Sequence, residues 1–257
     1  MSRLLVIDIG NTTTRVGLWD GREAVERAVA DTADLLAGRV APADLVARVE
    51  GEGGPVEGVA LCSVVPAAEA PWDEWAFGRK LELFDIQGNT PAPVTSRYGQ
   101  PAQLGADRLC GAVGAVGRLG APVIVAALGT ATVIDAVNAR KELLGGAIAA
   151  GVETGLKALK AMTALLPRVD PETPPAVIGA DTEACLLSGA VLGAAALVEG
   201  LVARMQEALG VTAPVALTGG LAALIAPHLR LPKGTESGLF PALLLEGAGL
   251  IWKRNAT

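Results

Sequence analysis

The residues most suited to chemistry in this sequence lie in DIGNTTT, at positions 8–14. Asp8 ends an apolar run, where a buried carboxylate without a partner would be costly. Gly10 permits a tight turn, and Asn11 with the threonines adds amide and hydroxyl donors to the backbone N–H groups. Such a turn can cradle phosphate oxygens, and the neighbouring acid can hold a hydrated magnesium ion. An ordinary β-hairpin with polar turn residues explains the same segment equally well.

A second segment repeats this pattern. VIVAALGTATVIDAV, at 123–137, has the same order of apolar strand, glycine, hydroxyl cluster and apolar strand. The offset from Gly10 to Gly129 is far longer than a solenoid repeat, so it indicates two related domains. We predict that these domains occupy residues 1–118 and 119–257.

The two copies differ at a position that matters for chemistry. Where the first copy has Asp8, the second has Ala127, whose methyl group cannot bind a cation. The second copy still offers the hydroxyl of Thr130. Further on, VALTGG supplies Gly219 and Gly220, against whose backbone a base or ribose can lie. Taken together, three glycine-containing turns at strand ends predict ATP held between the two domains.

Alternating elements must position these residues. Short apolar runs separate longer amphipathic segments, which is typical of an α/β fold with a mixed sheet. Besides the two strand–turn–strand pairs, the pattern predicts strands at 56–65, 81–86 and 215–220 and helices at 32–50, 67–79, 104–117, 155–166, 182–209, 221–227 and 243–254. The helix at 182–209 would be capped by Asp181 or Thr182.

Composition and charge exclude several classes of protein. Of the 257 residues, 51% are hydrophobic and 19% charged, which is typical of a globular chain. The net charge of −6 and the lack of a basic stripe argue against nucleic acid as a partner. The longest apolar runs, 119–134 and 184–198, are interrupted by small or polar residues, so we expect no contact with a membrane. The first apolar run contains Asp8 and follows no cationic leader, so the expected location is cytoplasmic.

Cysteine and histidine content narrows the chemistry. Cys62, Cys110 and Cys185 are widely spaced and odd in number, so we expect buried, reduced thiols. The single histidine, His228, is expected at a helix end or in a loop. A general base in this chain is therefore expected to be a carboxylate.

The two phosphate-type turns and the late TGG resemble the actin and sugar-kinase superfamily. Within it, the sequence resembles type III pantothenate kinases, a family that includes Bvg accessory factors. The resemblance covers nearly the whole chain and rests on these segments: DIGNTTT (8–14), SVVP (63–66), YGQPAQLGADR (98–108), GTAT (129–132), GGAIAAG (145–151), DTEACLLSG (181–189), TGG (218–220) and LLLEGAGLIWKRN (243–255).

This resemblance implies two duplicated ribonuclease H-like (actin-like ATPase) domains in a homodimer. It implies ATP-dependent phosphorylation of pantothenate to 4'-phosphopantothenate, the first step of coenzyme A biosynthesis, with Mg²⁺ at Asp8 and Asp107 as general base. The residues implied to contact ATP are Asp8, Ile9, Gly10, Asn11, Thr12, Thr13, Thr14, Thr130, Gly219 and Gly220. Those implied to contact pantothenate are Tyr98, Gly105, Ala106, Asp107, Arg108 and Thr182.

The residues themselves agree with these roles. Phosphoryl transfer needs positioning and charge neutralisation, and Asp107 can accept the proton of a hydroxyl nucleophile. Arg108 can keep Asp107 ionised, pair with an anionic substrate group or join a salt bridge to another subunit. Without the surrounding motif, a helix N-terminal acid followed by a surface base is the simpler interpretation. Asp135, after the second turn, fits a metal-facing acid or a solvent-facing strand end.

Two positions depart from the family pattern. The family carries, at the place of Ala127, an aspartate that helps to bind potassium or ammonium, and it has a proline at the place of Ala150. Three explanations are open. The enzyme works without the monovalent cation, or another group supplies the positive charge. In the third, the chain is a catalytically impaired homologue that binds nucleotide or pantothenate in a regulatory role. Because Asp8, Asp107 and Arg108 remain, we favour a working kinase. A different phosphotransferase or a polyphosphatase is a third hypothesis.

Overall fold

The computed structural model describes residues 3–50 and 56–256. They form two compact units. The first comprises the chain up to Gly120, Lys141–Leu144 and the residues from Ala242 onwards. The second comprises Ala121–Arg140 and Gly145–Pro241. Mixed sheets flanked by helices confirm the predicted α/β class.

The strands in chain order are β1 (Leu4–Ile9), β2 (Thr13–Trp19), β3 (Ala24–Asp31), β4 (Gly58–Ser63), β5 (Leu83–Ile86), β6 (Thr95–Ser96), β7 (Val123–Leu128), β8 (Ala131–Val137), β9 (Glu142–Ala150), β10 (Val215–Thr218) and β11 (Ser237–Leu239). The helices are α1 (Thr32–Leu36), α2 (Pro42–Glu50), α3 (Ala70–Gly78), α4 (Ala106–Leu119), α5 (Val152–Met162), α6 (Thr182–Leu187), α7 (Gly193–Leu209), α8 (Ala222–Ile225) and α9 (Leu243–Asn255). A π-helical turn, Ser188–Leu192, joins α6 to α7.

The sheet of the first unit has the strand order β3-β2-β1-β4-β5. Ile7, Ile9 and Val16 belong to the apolar cluster on one face of this sheet. Side chains alternate between faces along a strand, so Asp8 projects from the opposite face. Helices α4 and α9 cover that opposite face. A Cβ atom at Gly17 of β2 would lie 3.0 Å from the Leu245 side chain of α9.

The sheet of the second unit contains strands in the order β11-β10-β7-β8-β9. Its apolar cluster joins Ile134 of β8 to Val152 and Leu156 of α5 and to Val198 of α7. β7 and β8 are antiparallel, as β1 and β2 are, and β10 runs parallel to β7. The second unit therefore repeats the hairpin that begins the first.

The segment predicted as one helix at 32–50 forms two. Gly38 has a φ of +66°, in the left-handed region where α1 cannot continue. α2 then starts at Pro42, whose fixed φ and missing N–H suit the first turn of a helix. Just before it, the Ala41 amide donates a 2.9 Å hydrogen bond to the Asp44 carboxylate. The break therefore has a local cause in glycine and proline chemistry.

The expectation of three buried cysteines is wrong for Cys185, which is exposed on α6. Cys62 and Cys110 are buried, with a hydrogen bond between their side chains and a raised pKa for the Cys62 thiol. Cys185 escapes burial because it lies on the outward side of a helix whose inward positions are Ala184 and Leu187.

The long helical segment Thr182–Leu209 is apolar enough, by length and composition, to cross a bilayer. Within the described residues it is the one helix with that property. Val191, Ala195, Val198 and Val202 pack into the apolar cluster of the second unit. Core helices of globular domains share this composition, so the property is weak evidence for a membrane.

Close packing of α4 and α9 gives a stability prediction. A Cβ atom at Gly247 would collide with the backbone carbonyl of Cys110, which cannot move as a flexible side-chain tip would. We expect Gly247→Ala to lower the free energy of unfolding by about 1–3 kcal/mol, measured by urea denaturation. Gly78→Ala, in a helix with open space around its Cα, is the control and should be neutral or slightly stabilising. Equal effects of the two substitutions would contradict this packing.

Candidate active site

Thr32, a residue outside the motif, supports the turn between β1 and β2 through hydrogen bonds. The Gly10 amide donates to the Thr13 carbonyl at 3.0 Å, which closes the turn. The Thr32 hydroxyl donates to the Gly10 carbonyl at 2.7 Å, and the Thr32 amide donates to the Thr12 carbonyl at 2.9 Å. Thr32 also shares a 3.0 Å hydrogen bond with the Thr14 hydroxyl. Asn11 and Thr12 remain exposed at the tip. The turn is thus fixed by its carbonyls while its tip faces outward.

Asp8 is the buried acid of this turn, 6% exposed at the end of β1 beside the buried Ile9. Burial raises the pKa of Asp8 from 3.8 to about 7. The charge of Arg15 lowers that pKa, whereas the charges of Asp107 and Glu26 raise it. Because Asp107 acts on Asp8 through its charge, the two acids belong to one electrostatic cluster within the first unit.

Asp107 lies in the first turn of α4, where the helix dipole favours a carboxylate. Gly105 precedes the helix in an extended conformation, and Ala106 is its first, buried residue. The Asp107 carboxylate accepts a 2.8 Å hydrogen bond from the Arg108 amide. The helix start therefore fixes the half-buried carboxylate in an orientation that a free side chain would not hold.

Arg108 is oriented by Tyr98. Its guanidinium carbon lies 5.2 Å from the centre of the Tyr98 ring, and Nη1 donates a 3.3 Å hydrogen bond to the phenol oxygen. The Tyr98 amide in turn donates to the Ser96 hydroxyl at 3.1 Å. Ser96 is in β6, which pairs with the first residues of β9. The motif YGQPAQLGADR thus closes on itself, with its first and last residues in contact.

The turn between β7 and β8, in the second unit, is built differently. The Gly129 amide donates to the Ala131 carbonyl at 3.0 Å, so the turn is one residue shorter than the first. The Thr130 carbonyl accepts from the Gly151 amide at 3.1 Å and from the Thr154 hydroxyl at 2.7 Å. The Thr130 side chain is exposed. Gly151 and Thr154 support this turn, as Thr32 supports the other.

The TGG segment packs against the same hairpin. Gly219 has a φ of +98°, and a Cβ atom there would collide with the backbone of Leu128. The Leu221 amide donates to the Leu128 carbonyl at 3.0 Å. A glycine at 219 is therefore required by both its conformation and its surroundings, while Gly220 is exposed.

Thr182 is exposed as the first residue of α6. Asp181 is the cap, because its carboxylate accepts a 2.8 Å hydrogen bond from the Ala184 amide. The Thr182 hydroxyl is therefore not needed for capping.

Ala127 occupies the place equivalent to Asp8 in a different environment. Asp8 has Arg15 as its partner on β2, whereas Ala127 has Val133 on β8 and Thr218 on β10. The Thr218 hydroxyl is buried without a hydrogen-bond partner in the part of the chain that the structure describes. A carboxylate at 127 would thus have no cationic neighbour on either adjoining strand.

Asp135 is 3% exposed in the middle of β8, which excludes the solvent-facing alternative. A Cβ atom at Gly146 would lie against the Asp135 carboxylate. His228 ends a short 3₁₀ turn, as expected.

The side chains available as metal ligands at this site suit magnesium. Within residues 3–50 and 56–256, no group of three or more His, Cys, Asp or Glu side chains is placed to hold a metal ion. Mg²⁺ is ordinarily bound by one or two carboxylates together with waters and substrate phosphates, so a dedicated cage is not required. Asp8, buried beside a phosphate-type turn with a raised pKa, is a carboxylate whose charge a cation would stabilise.

Comparison with known proteins decides the family. A family model described as type III pantothenate kinase matches residues 4–204. A type III pantothenate kinase from Thermomicrobium roseum is 42% identical over 240 residues, covering 92% of this chain and 93% of the relative. One from Roseiflexus sp. strain RS-1 is 38% identical over 258 residues, covering 98% and 99%. The chain belongs to the type III pantothenate kinase family. The predicted family is thereby confirmed.

Solved structures support the fold. A Baf family transcriptional activator from Campylobacter jejuni aligns with a TM-score of 0.61 at 17% identity, covering 98% of both chains. The ROK hexokinase of Thermus thermophilus aligns with a TM-score of 0.54 at 16% identity, covering 99% of this chain and 100% of that one. These likenesses confirm the predicted actin-like ATPase and sugar-kinase fold.

The raised pKa of Asp8 predicts a pH-dependent stability. The folded state binds the Asp8 proton more tightly than the unfolded state, so the ionised group destabilises the fold increasingly between about pH 4 and pH 7. Asp8→Asn removes this effect. In the absence of ligands, its unfolding free energy should exceed that of the wild type by an amount that grows over this range. At about 1.4 kcal/mol per pKa unit, the gain should reach roughly 2–4 kcal/mol above pH 7.

Urea unfolding at several pH values measures this difference. Asp20→Asn is the control, because hydrogen bonds from the Glu23 and Arg22 amides lower the pKa of Asp20. That substitution should cost stability near neutral pH and lose its effect in acid. A pH-independent difference between Asp8→Asn and the wild type would contradict the burial of an ionisable Asp8.

Proposed function

We propose that this chain transfers the γ-phosphoryl group of ATP to the primary hydroxyl of pantothenate and releases ADP and 4'-phosphopantothenate. Family membership supports the substrate, and this reaction begins coenzyme A biosynthesis. The observation that carries the mechanism is that Asp107 lies near enough to Asp8, within the first unit, for its charge to raise the pKa of Asp8. Asp8 belongs to a phosphate-type turn, and Asp107 is suited to accept a proton.

In this mechanism, the turn binds the ATP phosphates. Backbone N–H groups and hydroxyls over Asp8–Thr14 donate to phosphate oxygens, and Thr32 keeps the turn in shape. Asp8 would hold Mg²⁺, which supplies charge neutralisation to the phosphates when bound. In the second unit, we assign contacts with ATP to Thr130, Gly219 and Gly220.

Asp107 acts as the general base. Its carboxylate accepts the proton of the pantothenate hydroxyl as that oxygen forms a bond to the γ-phosphorus and the bond to the ADP oxygen breaks. The Arg108 amide holds the carboxylate in place through its 2.8 Å hydrogen bond. A misplaced base would slow the reaction severely, since proton transfer requires hydrogen-bond distance.

Pantothenate is bound by the segment around Asp107. Arg108, held against the Tyr98 ring, offers a fixed guanidinium to an anionic group of the substrate. Gly105 and Ala106 bring the backbone of the helix start close to the substrate. We assign a further substrate contact to Thr182, because Asp181 rather than the Thr182 hydroxyl caps α6.

A homodimer is supported by the surface of the second unit. Met162, Leu165 and Ile178 are 85%, 94% and 87% exposed, which is costly for large apolar side chains. A cavity of about 340 Å³ lies between α5 and the α6–α7 segment, lined mainly by small and apolar residues. A second copy of the chain would cover this surface. ATP and pantothenate are cytoplasmic metabolites, and we assign the enzyme to that compartment.

The alternative of an impaired homologue rests on Ala127 alone. Asp8, Asp107, Arg108 and Thr182 all remain, and a site no longer used for catalysis would be expected to have lost some of them. The retained residues therefore favour turnover.

A coupled assay of ADP release, run with pantothenate and with other small alcohols, tests the function. We expect turnover with pantothenate, and a fall in kcat of about 10²–10⁴-fold in Asp107→Asn, because this change removes the base while nearly preserving shape. Asp107→Asn should still bind MgATP, which calorimetry can check. If the wild type releases no ADP with pantothenate, or phosphorylates another alcohol in preference, the proposed substrate is wrong.

We further propose that turnover does not depend on a monovalent cation. An acid at 127 would face Val133 and the Thr218 hydroxyl, so its charge would need a bound cation. Ala127→Asp should therefore gain activation by potassium or ammonium, of the order of tenfold if the ion stabilises the transition state by ~1.4 kcal/mol. Ala127→Asn, of the same shape without the charge, is the control and should not respond. Strong potassium activation of the wild type would refute this proposal.

A further inference from the structure

Two buried cysteines connect the sheet beside Asp8 to the helix that carries Asp107. Cys62 of β4 is the neighbour of Asp8 in the parallel pairing of β1 with β4. Ile9 and Leu61 belong to the apolar cluster on one face of this sheet, so Asp8 and Cys62 project together from the other face. Because neighbouring strands lie about 4.8 Å apart, the Cys62 thiol is adjacent to the buried carboxylate.

Cys110 extends this connection to α4. It follows Asp107 by three residues on the helix, and side chains at that spacing are neighbours. The side chains of Cys62 and Cys110 are fully buried and share a hydrogen bond. A Cβ atom at Gly105 would lie 3.7 Å from the Val64 side chain, so the start of α4 lies against the end of β4. The two thiols are thus a contact through which the start of α4 packs on the sheet beside the buried acid.

The chemistry of these thiols suits a fixed spacer. The hydrogen bond with Cys110 and burial raise the pKa of the Cys62 thiol, and the charges of Asp8 and Asp107 raise it further. Cys62 therefore remains a neutral thiol near neutral pH. Buried thiols of this kind are inert as nucleophiles. The pair adds no negative charge to the two acids, and its dimensions fix how far α4 lies from the sheet.

We propose that Cys62 and Cys110 are positioning residues whose contact sets the separation between Asp8 and Asp107. This inference rests on the proposed function, in which Asp8 holds the metal and Asp107 accepts the proton of the substrate hydroxyl. That separation has to suit one phosphoryl group in transfer, and a misplacement of ~1 Å can slow a reaction by about 100-fold. Both cysteines lie outside the segments that carry the family resemblance.

The simpler interpretation is that the cysteines only fill space. A buried cysteine behaves as a small apolar residue, and its truncation would then lower stability and leave the two acids in place. The interpretations differ at the start of α4. If the thiols position the helix, the loss of either one should loosen its first turn and slow the transfer. The loss of both should do little more harm than the loss of one, because they act as a pair.

The experiment compares Cys62→Ala, Cys110→Ala, the double variant, Cys62→Ser and Val113→Ala in the full chain. Val113, 1% exposed on α4 and three residues beyond Cys110, is the matched control for a truncated buried side chain in the same helix. The coupled assay gives kcat and KM for ATP, and urea unfolding gives the stability of each variant. Hydrogen exchange of the amides of residues 104–112 reports on the start of α4.

We expect Cys62→Ala and Cys110→Ala each to lower kcat by about tenfold with a nearly unchanged KM for ATP, because the base moves and the phosphate-type turn does not. The double variant should resemble the single ones. The Arg108 amide, which donates to the Asp107 carboxylate, should exchange faster in all three. Cys62→Ser keeps a hydrogen-bonding group, so it should lie between Cys62→Ala and the wild type, and it keeps the test open if Cys62→Ala does not fold.

Val113→Ala should lose at least as much stability as the cysteine variants, because it removes two buried methyl groups. Its kcat and its exchange over residues 104–112 should nevertheless match those of the wild type. Wild-type kcat in the cysteine variants, or unchanged exchange at the start of α4, would overturn the inference. An equal loss of kcat in Val113→Ala would also overturn it, since any buried truncation would then act alike.

This outcome is separable from that of the proposed function. If the wild type phosphorylates another alcohol instead of pantothenate, the substrate is wrong, and the ratios of kcat measured with that alcohol still test the thiols. If it phosphorylates none, the proposed function fails and hydrogen exchange at the start of α4 decides the inference. If the cysteine variants phosphorylate pantothenate as fast as the wild type, the function stands and the inference is wrong.

Discussion

The burial of a single carboxylate, Asp8, is the constraint on which the first unit depends. An ionised group at this depth is unfavourable unless a positive charge compensates it, and its raised pKa records that cost. The surroundings offset the charge only in part, through Arg15, and oppose it through Asp107 and Glu26. Under the proposed function, a magnesium ion held at Asp8 would stabilise this site, because its charge would offset the repulsion among the acids. The excess of negative charge around Asp8, which destabilises the fold without ligands, would favour the binding of a cation.

The residues around the two hairpins agree with the presence of an acid in only one unit. Both hairpins have a glycine turn whose amide closes on a following carbonyl, and both are supported by a threonine from another element, Thr32 or Thr154. The adjoining strands differ. Asp8 has an arginine across the strand pair, whereas Ala127 has a valine and a threonine. An alanine avoids an uncompensated charge there, so the loss of the acid agrees with its neighbours and leaves the backbone turn intact.

Much of this could be predicted from the sequence, because the signals are local. Glycine and hydroxyl residues after an apolar strand predict the turns at 10–13 and 129–131, and the GADR segment predicts a helix start with an acid in its first turn. The contacts that complete the site come from distant segments. Thr32 reaches the first turn, and Arg15 faces Asp8 only in the observed register, which the pattern of residues does not fix. The break at Gly38 had a visible signal in glycine and proline, but the apolar periodicity across 32–50 outweighed it.

The central claim is that one bound substrate hydroxyl lies between a metal held at Asp8 and the carboxylate of Asp107. Paramagnetic relaxation tests this directly, with Mn²⁺ in place of Mg²⁺ and a non-hydrolysable ATP analogue present. The account predicts strong relaxation of the pantothenate protons nearest the primary hydroxyl, and its loss in Asp8→Asn. Weak relaxation of those protons in the wild type, or undiminished relaxation in Asp8→Asn, would contradict it.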